Sequence, residues 1–221
     1  MNSDKKVAGE EAVSLIKNGM TIGLGSGSTV NWMLKSLSKR VKEGLDIKGI
    51  PSSQKTERLA IELGVPLTDF SNADKIDIAV DGADEVDSGL NLLKGGGGSL
   101  VREKIIDAMA KELVVIVDQS KVVSHLGEFS LPVEVIPFGW GVTSWNIADL
   151  GGVPSLRKKD GSVFVSDNGN YILDCKFGKI DQPKNLHEQL KLMVGVVETG
   201  LFVEMTDKVI VARNGGIEIL S

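Results

Sequence analysis

Apolar and polar positions mark out the elements of this chain. Val7, Ala8, Ala12, Leu15 and Ile16 fall at helical spacing and predict a helix over 3–18, with Ser3 as its cap and Asn18-Gly19 as its end. Apolar runs over 20–24, 76–80 and 113–117 predict buried strands, with a shorter strand over 46–50 and a weaker one over 65–67. Val30, Met33, Leu34, Leu37 and Val41 predict a helix after the first strand; further helices are expected over 54–63, stopped by Gly64, and over 99–111. Strand and helix alternate throughout, which predicts a Rossmann-like, doubly wound and mostly parallel sheet.

The rhythm changes near residue 128. Strands are expected over 133–136, 153–157, 170–174 and 200–204, and helices over 142–150 and 185–193. Asp160-Gly161 and Asp167-Asn168-Gly169 supply turns between the middle strands. This strand-helix-strand-strand-helix-strand order predicts a smaller α+β domain of ferredoxin-like type. Final strands over 208–212 and 217–220 flank Asn214-Gly215-Gly216 and return to the first domain. The expected division is 1–127 plus 205–221 for the catalytic domain and 128–204 for the small one, with the latter as an oligomer contact.

Composition narrows the chemistry. The single cysteine, Cys175, forms no internal disulfide, and with only His125 and His187 beside it a Cys/His zinc site is excluded. Residues 1–13 hold no apolar stretch of a signal peptide, and no run approaches the roughly 18 apolar residues of a membrane span. A net charge of −5 gives no global attraction for nucleic acid. A cytoplasmic protein is expected, working with Asp, Glu and Lys. Glycine is abundant, 26 of 221 residues, and clusters at 23–27, 95–98, 151–152 and 215–216.

Three loops follow buried strands, where open α/β sheets bind ligands. Gly25-Ser26-Gly27-Ser28-Thr29 places small residues, hydroxyls and free N–H groups at a helix start, which suits an anion or a plain N-cap. It is neither a dinucleotide fingerprint nor a P-loop, because the third glycine and the Gly-Lys-Ser/Thr are missing. Asp81-Gly82-Ala83-Asp84-Glu85 offers an acid–base pair, a divalent-metal site or a solvated acidic turn. Asp118-Gln119-Ser120-Lys121 ends on a lysine. Separately, Lys94-Gly95-Gly96-Gly97-Gly98 reads as a loop passing close to a ligand, with Lys94 as a mobile charge. On the following helix Val101, Ile105, Ile106, Ala108 and Met109 form an apolar arc. Glu103 lies at its edge, as a partly desolvated base or as a member of a surface ion pair. Cys175 reads as buried filler, and His125 and His187 receive no role.

Together these stretches resemble ribose-5-phosphate isomerase of type A. The likeness extends through Arg102-Glu103-Lys104-Ile105, residues 131–137, 167–174 and 195–202, and so over nearly the whole chain. It implies interconversion of D-ribose 5-phosphate and D-ribulose 5-phosphate through an enediolate, in the non-oxidative pentose phosphate pathway, with no required metal or cofactor. It implies Glu103 as the base between C1 and C2, with Asp81, Asp84 and Lys94 as further catalytic groups. Ser26, Gly27, Ser28, Thr29, Gly82, Ala83, Gly95, Gly96, Gly97 and Lys121 become substrate contacts, and Lys5 a speculative addition at the phosphate. It also implies a homodimer or homotetramer. Ser26 stands where many members have threonine, and Gly98 where alanine is frequent, which adds flexibility. Two other readings are a sugar-phosphate-binding regulatory sensor and another enzyme of the superfamily, such as a coenzyme A transferase or an amino-sugar-phosphate deaminase. The sensor reading lacks a helix-turn-helix, because the N-terminus has room for one helix only.

Overall fold

The computed structural model describes residues 2–221. In chain order come α1 (Asn2–Ser14), β1 (Met20–Leu24), α2 (Ser28–Lys42), β2 (Ile47–Pro51), α3 (Gln54–Leu63) and β3 (Ile78–Asp81). Two short strands, β4 (Glu85–Val86) and β5 (Leu92–Leu93), lead to α4 (Leu100–Met109), β6 (Leu113–Asp118) and a 3-10 turn at Gln119–Lys121. Then follow β7 (Leu131–Val135), α5 (Trp140–Asp149), β8 (Val153–Leu156), β9 (Lys158–Lys159), β10 (Ser162–Val163) and β11 (Tyr171–Lys176). The chain closes with α6 (Pro183–Lys191), β12 (Val196–Thr199), β13 (Leu201–Phe202), β14 (Lys208–Arg213) and β15 (Gly216–Leu220).

Packing groups these elements into two units. The first comprises the chain up to Ala83, Arg102–Val122 and Met205–Ser221; the second comprises Asp84–Val101 and Val123–Glu204. The expected division places residues 84–101 and 123–127 in the first domain, whereas they pack in the second unit. The reason is pairing: β5 joins β4 on one side and β13 on the other, and Lys94 N–H donates to the Gly200 carbonyl at 2.8 Å.

The first unit is built on a six-stranded sheet in the order β15-β14-β6-β3-β1-β2. All its neighbours are parallel except the closing β14–β15 hairpin. Side chains alternate across each strand. Ile22, Leu24, Ile78, Val80, Val114 and Ile116 therefore share one face and pack with Ala8, Ala12, Val30, Met33 and Leu34 of α1 and α2. Burying one such aliphatic side chain contributes about 1.5–3 kcal/mol. Gly23 and Ala79 point to the opposite face, where a Cβ on Gly23 would run into Ile106 of α4. Small residues there let α4 approach the sheet closely. Two local rules hold to the residue. Ser53 caps α3, its hydroxyl accepting the Thr56 N–H, and Gly64 ends it in the left-handed region at φ 74°. The predicted cap at Ser3 does not form, since α1 begins at Asn2. The weak strand over 65–67 reduces to one bridge between Gly49 and Leu67.

The second unit carries a four-stranded antiparallel sheet in the order β12-β7-β11-β8. With α5 after β7 and α6 after β11, the last strand returns beside the first, as the ferredoxin-like expectation requires; that strand is β12, however, and the expected strand over 200–204 survives only as β13, on the small sheet with β5. Its core holds Leu131, Val133, Val135, Ile147, Leu173 and Leu190. The β9–β10 hairpin fills the long interval between β8 and β11.

Candidate active site

In the first unit β1, β3 and β6 are sheet neighbours running parallel, so their C-terminal ends share one edge. The connection after β1 leads to β2 on one side of it, while β3 lies on the other. Such a switch in strand order opens a ligand crevice. The edge carries Gly25–Thr29 after β1, Asp81 at the end of β3 followed by Gly82 and Ala83, and Lys121 after β6.

Asp81 organises this edge. It is 1% exposed, and its Oδ1 accepts the N–H groups of Ser26 at 2.9 Å and Gly82 at 2.7 Å. Gly25 makes the approach possible, because a Cβ there would overlap the Asp81 carboxylate and lie 2.6 Å from its Cα. Gly27, at φ 118°, is the N-cap of α2 and supplies no side chain to it. Ser28 and Thr29 therefore belong to the first turn rather than to the cap, and the helix start keeps its partial positive charge. Lys5 Nζ donates to Ser28 Oγ at 2.9 Å, which brings a cation to the same place.

Residues missed in the sequence surround Ser26. Its hydroxyl lies 2.9 Å from Ser52 Oγ, 2.9 Å from Ser53 Oγ and 3.1 Å from Thr56 Oγ1. Thr56 in turn donates to the Gly25 carbonyl at 2.9 Å. Ser26 thus commits both N–H and hydroxyl to the protein. The Ser53-x-x-Thr56 spacing was a legible capping signal, but nothing local ties it to residue 26.

On α4 the predicted apolar arc is only partly buried: Ile106 is, and Val101 and Met109 are half-buried. Ile105 and Ala108 are exposed, whereas Leu100, Glu103, Ile106 and Asp107 are buried. Glu103 and Asp107, one turn apart, are each 4% exposed. Glu103 is therefore on the buried face itself, and Asp107 is a second buried carboxylate that the apolar pattern concealed.

The second unit holds the other candidates. Asp84 precedes β4, and its N–H donates to the Leu93 carbonyl at 2.9 Å. Its Oδ2 accepts the Gly96 N–H at 2.8 Å. Lys94 follows β5 and is 2% exposed, with its ammonium 5.2 Å from the Phe202 ring centroid. It is a buried, placed cation, not the mobile one expected. Glu85, also buried, accepts the Gly127 N–H at 2.7 Å and that of Phe129. The acidic run therefore divides. Glu85 anchors the 127–129 loop, Asp84 holds the glycine loop, and Asp81 holds the loop after β1. Gly98 adds no slack: at φ 86°, a Cβ would sit 2.6 Å from Phe164 Cε1.

Burial, with help from Asp174, pushes the Cys175 thiol up to about 12, which leaves it neutral and unreactive at ordinary pH. Among the described residues no group of three His, Cys, Asp or Glu is placed to hold a metal ion, and no helix is long and apolar enough to cross a membrane.

The family model of ribose 5-phosphate isomerase A (phosphoriboisomerase A) matches residues 48–216. The chain is 56% identical over 216 residues to ribose-5-phosphate isomerase A 1 of Oceanobacillus iheyensis, covering 97% of this chain and 96% of that one. It is 50% identical to ribose-5-phosphate isomerase A of Bacillus mycoides, covering 97% of each. Among solved structures, ribose 5-phosphate isomerase A of Methanocaldococcus jannaschii superposes with a TM-score of 0.95 at 41% identity, covering 100% of both chains. A D-ribose-5-phosphate isomerase in complex with phospho-erythronic acid superposes with a TM-score of 0.96 at 40% identity, covering 99% of this chain and 97% of that one. The chain belongs to the ribose 5-phosphate isomerase A family.

Proposed function

We propose that this aldose–ketose isomerase interconverts D-ribose 5-phosphate and D-ribulose 5-phosphate with Glu103 as the base that carries a proton between C1 and C2. One observation carries the assignment of roles: Asp81, Lys94 and Glu103 are ionisable yet at most 4% exposed. Structural ion pairs usually stay wetter than this, and water-poor carboxylates and ammoniums suit proton transfer and charge stabilisation. Asp81 or Asp84 handles the hydroxyl protons and opening of the furanose ring. Lys94 and the N–H groups of Gly95 and Gly97 stabilise the enediolate, a contribution of about 3–4 kcal/mol per well-placed donor, while the Gly96 N–H is held by Asp84.

The phosphate is assigned to Lys121 and to the start of α2, with Ser28 and Thr29 in its first turn and Gly27 before it. Lys5, hydrogen-bonded to Ser28, adds charge there. Gly82 and Ala83 border the sugar, and for Ser26 the contact falls to its carbonyl. Binding of a phosphorylated sugar acid by a structural relative agrees with a ligand of this type. The chain is further proposed to act in the cytoplasm, as a homodimer or homotetramer. Exposed Phe138, Val142, Trp145 and Val194 in the second unit supply apolar surface for such contacts.

A coupled assay with ribose 5-phosphate, with and without EDTA, tests the reading. Turnover unchanged by EDTA is expected. Turnover of an amino-sugar phosphate or a coenzyme A ester, but not of ribose 5-phosphate, would overturn it.

A further inference from the structure

Arg157, just after β8, is largely buried and wholly committed within the second unit. Its Nε donates to Asp174 Oδ2 at 2.9 Å and its Nη2 to Asp174 Oδ1, a two-point pairing that fixes the guanidinium plane. Its Nη1 donates to the Gly95 carbonyl at 2.9 Å and to the Gly96 carbonyl at 3.2 Å. Successive carbonyls in extended chain point to opposite sides. Two of them meet one nitrogen here because the chain turns at Gly96–Gly97, where the Gly98 N–H comes back to the Gly95 carbonyl at 3.0 Å.

The consequence lies on the far side of the loop. A trans peptide directs its C=O and N–H oppositely, and no peptide in the described chain is cis. Arg157 holds the carbonyl of the Gly95–Gly96 peptide, while Asp84 accepts its N–H at 2.8 Å. In the next peptide Arg157 holds the Gly96 carbonyl, so the Gly97 N–H points away from Arg157, in the general direction taken by the Gly96 N–H. A Cβ on Gly97 would have nothing within 4 Å, so the loop is open on that side of Gly97. A cation on the carbonyl also polarises the peptide and strengthens the N–H as a donor.

We propose that Arg157, oriented by Asp174, is a positioning residue of the isomerisation: it turns the Gly95 and Gly96 carbonyls away from the sugar and aims the Gly97 N–H at the oxygen that gains negative charge. This rests on the isomerase reading above. Such a donor acts on the transition state more than on the ground state, so its loss falls on kcat.

The experiment compares R157M, R157K and D174N with the wild-type enzyme by steady-state kinetics, melting temperature and amide hydrogen exchange. R157M is expected to lose roughly tenfold to a hundredfold in kcat with KM changed less than about threefold. R157K, able to reach one carbonyl, recovers part of that loss, and D174N loses several-fold. In the free R157M protein the Gly96 and Gly97 amides exchange faster than in wild type. If R157M does not fold, R157K and D174N carry the same test. Wild-type kcat in a folded R157M, or a loss confined to KM, overturns the proposal. Were the wild-type chain inactive on ribose 5-phosphate, the reading of the reaction would fail. Unchanged Gly97 exchange in R157M would separately refute the role of Arg157.

Discussion

The chain has two glycine-rich loops, one in each unit, and they use glycine for different reasons. In the loop after β1 the need is internal: Gly25 lets Asp81 come within reach of two N–H groups, and Gly27 takes a left-handed φ before α2. In the loop after β5 the demand is split. Gly95 and Gly98 have left-handed φ and tight neighbours in Leu100, Pro132 and Phe164. Gly96 is gripped by Asp84 on one side and Arg157 on the other. Gly97 alone has neither a positive φ nor any atom within 4 Å of a would-be Cβ. The protein does not need a glycine there. A ligand passing over the loop would.

Three substitutions sharpen that contrast, ordered by their expected effect on stability. G25A forces the Asp81 carboxylate and backbone to move, with a cost near 3 kcal/mol by the usual range for overpacking and loss of most turnover. Chemical denaturation measures the first and the coupled assay the second; a stable, active G25A would mean the loop is less constrained than its contacts imply. G98A is expected to cost about 2 kcal/mol, from its φ and the Phe164 ring together. The double variant G98A/F164L should regain the steric part, and if it does not, the ring is not the obstacle. G97A should melt as wild type, within about 0.5 kcal/mol. Its kcat/KM for ribose 5-phosphate should still fall roughly tenfold to a hundredfold, as expected when a reacting molecule is displaced by about an ångström. Equal activity in G97A would remove the argument that a ligand needs that space.

The legible and illegible parts of the molecule differ by range. Strand β1 and helix α3 were readable to the residue, because a burial run and a C-terminal glycine are local signals. The βαββα part of the second unit was readable from strand spacing and turn residues, but the strand that closes its sheet, β12 at Val196–Thr199, was not. Strands β4 and β5 were not readable either, since two-residue strands are too short to show a period and gain their identity from their partners; the strand expected over 200–204 is present only as β13, which pairs with β5 rather than closing the four-stranded sheet. On α4 the apolar rule found Ile106 but misplaced the centre of the buried face, because that face also carries Glu103 and Asp107 while Ile105 and Ala108 are exposed. A helix that buries carboxylates departs from the usual apolar pattern, and local reasoning fails there. Lys94 is a similar case. Its type predicts a solvated side chain, and only pairing of the main chain to Gly200 and stacking on Phe202 put it inside. The hydroxyl cluster around Ser26 and the Arg157 clamp on Gly95 and Gly96 depend on residues distant in sequence, so no window of residues displays them.

The central claim is that a buried glutamate moves the proton, and E103Q tests it most directly. Glutamine keeps the shape and removes the base. Turnover of ribose 5-phosphate should fall about 10²- to 10⁴-fold, the usual worth of a general base, while the dissociation constant for ribose 5-phosphate, measured by calorimetry, stays within about threefold. Turnover within a few-fold of wild type in a folded E103Q enzyme would contradict the account and move the base to another carboxylate.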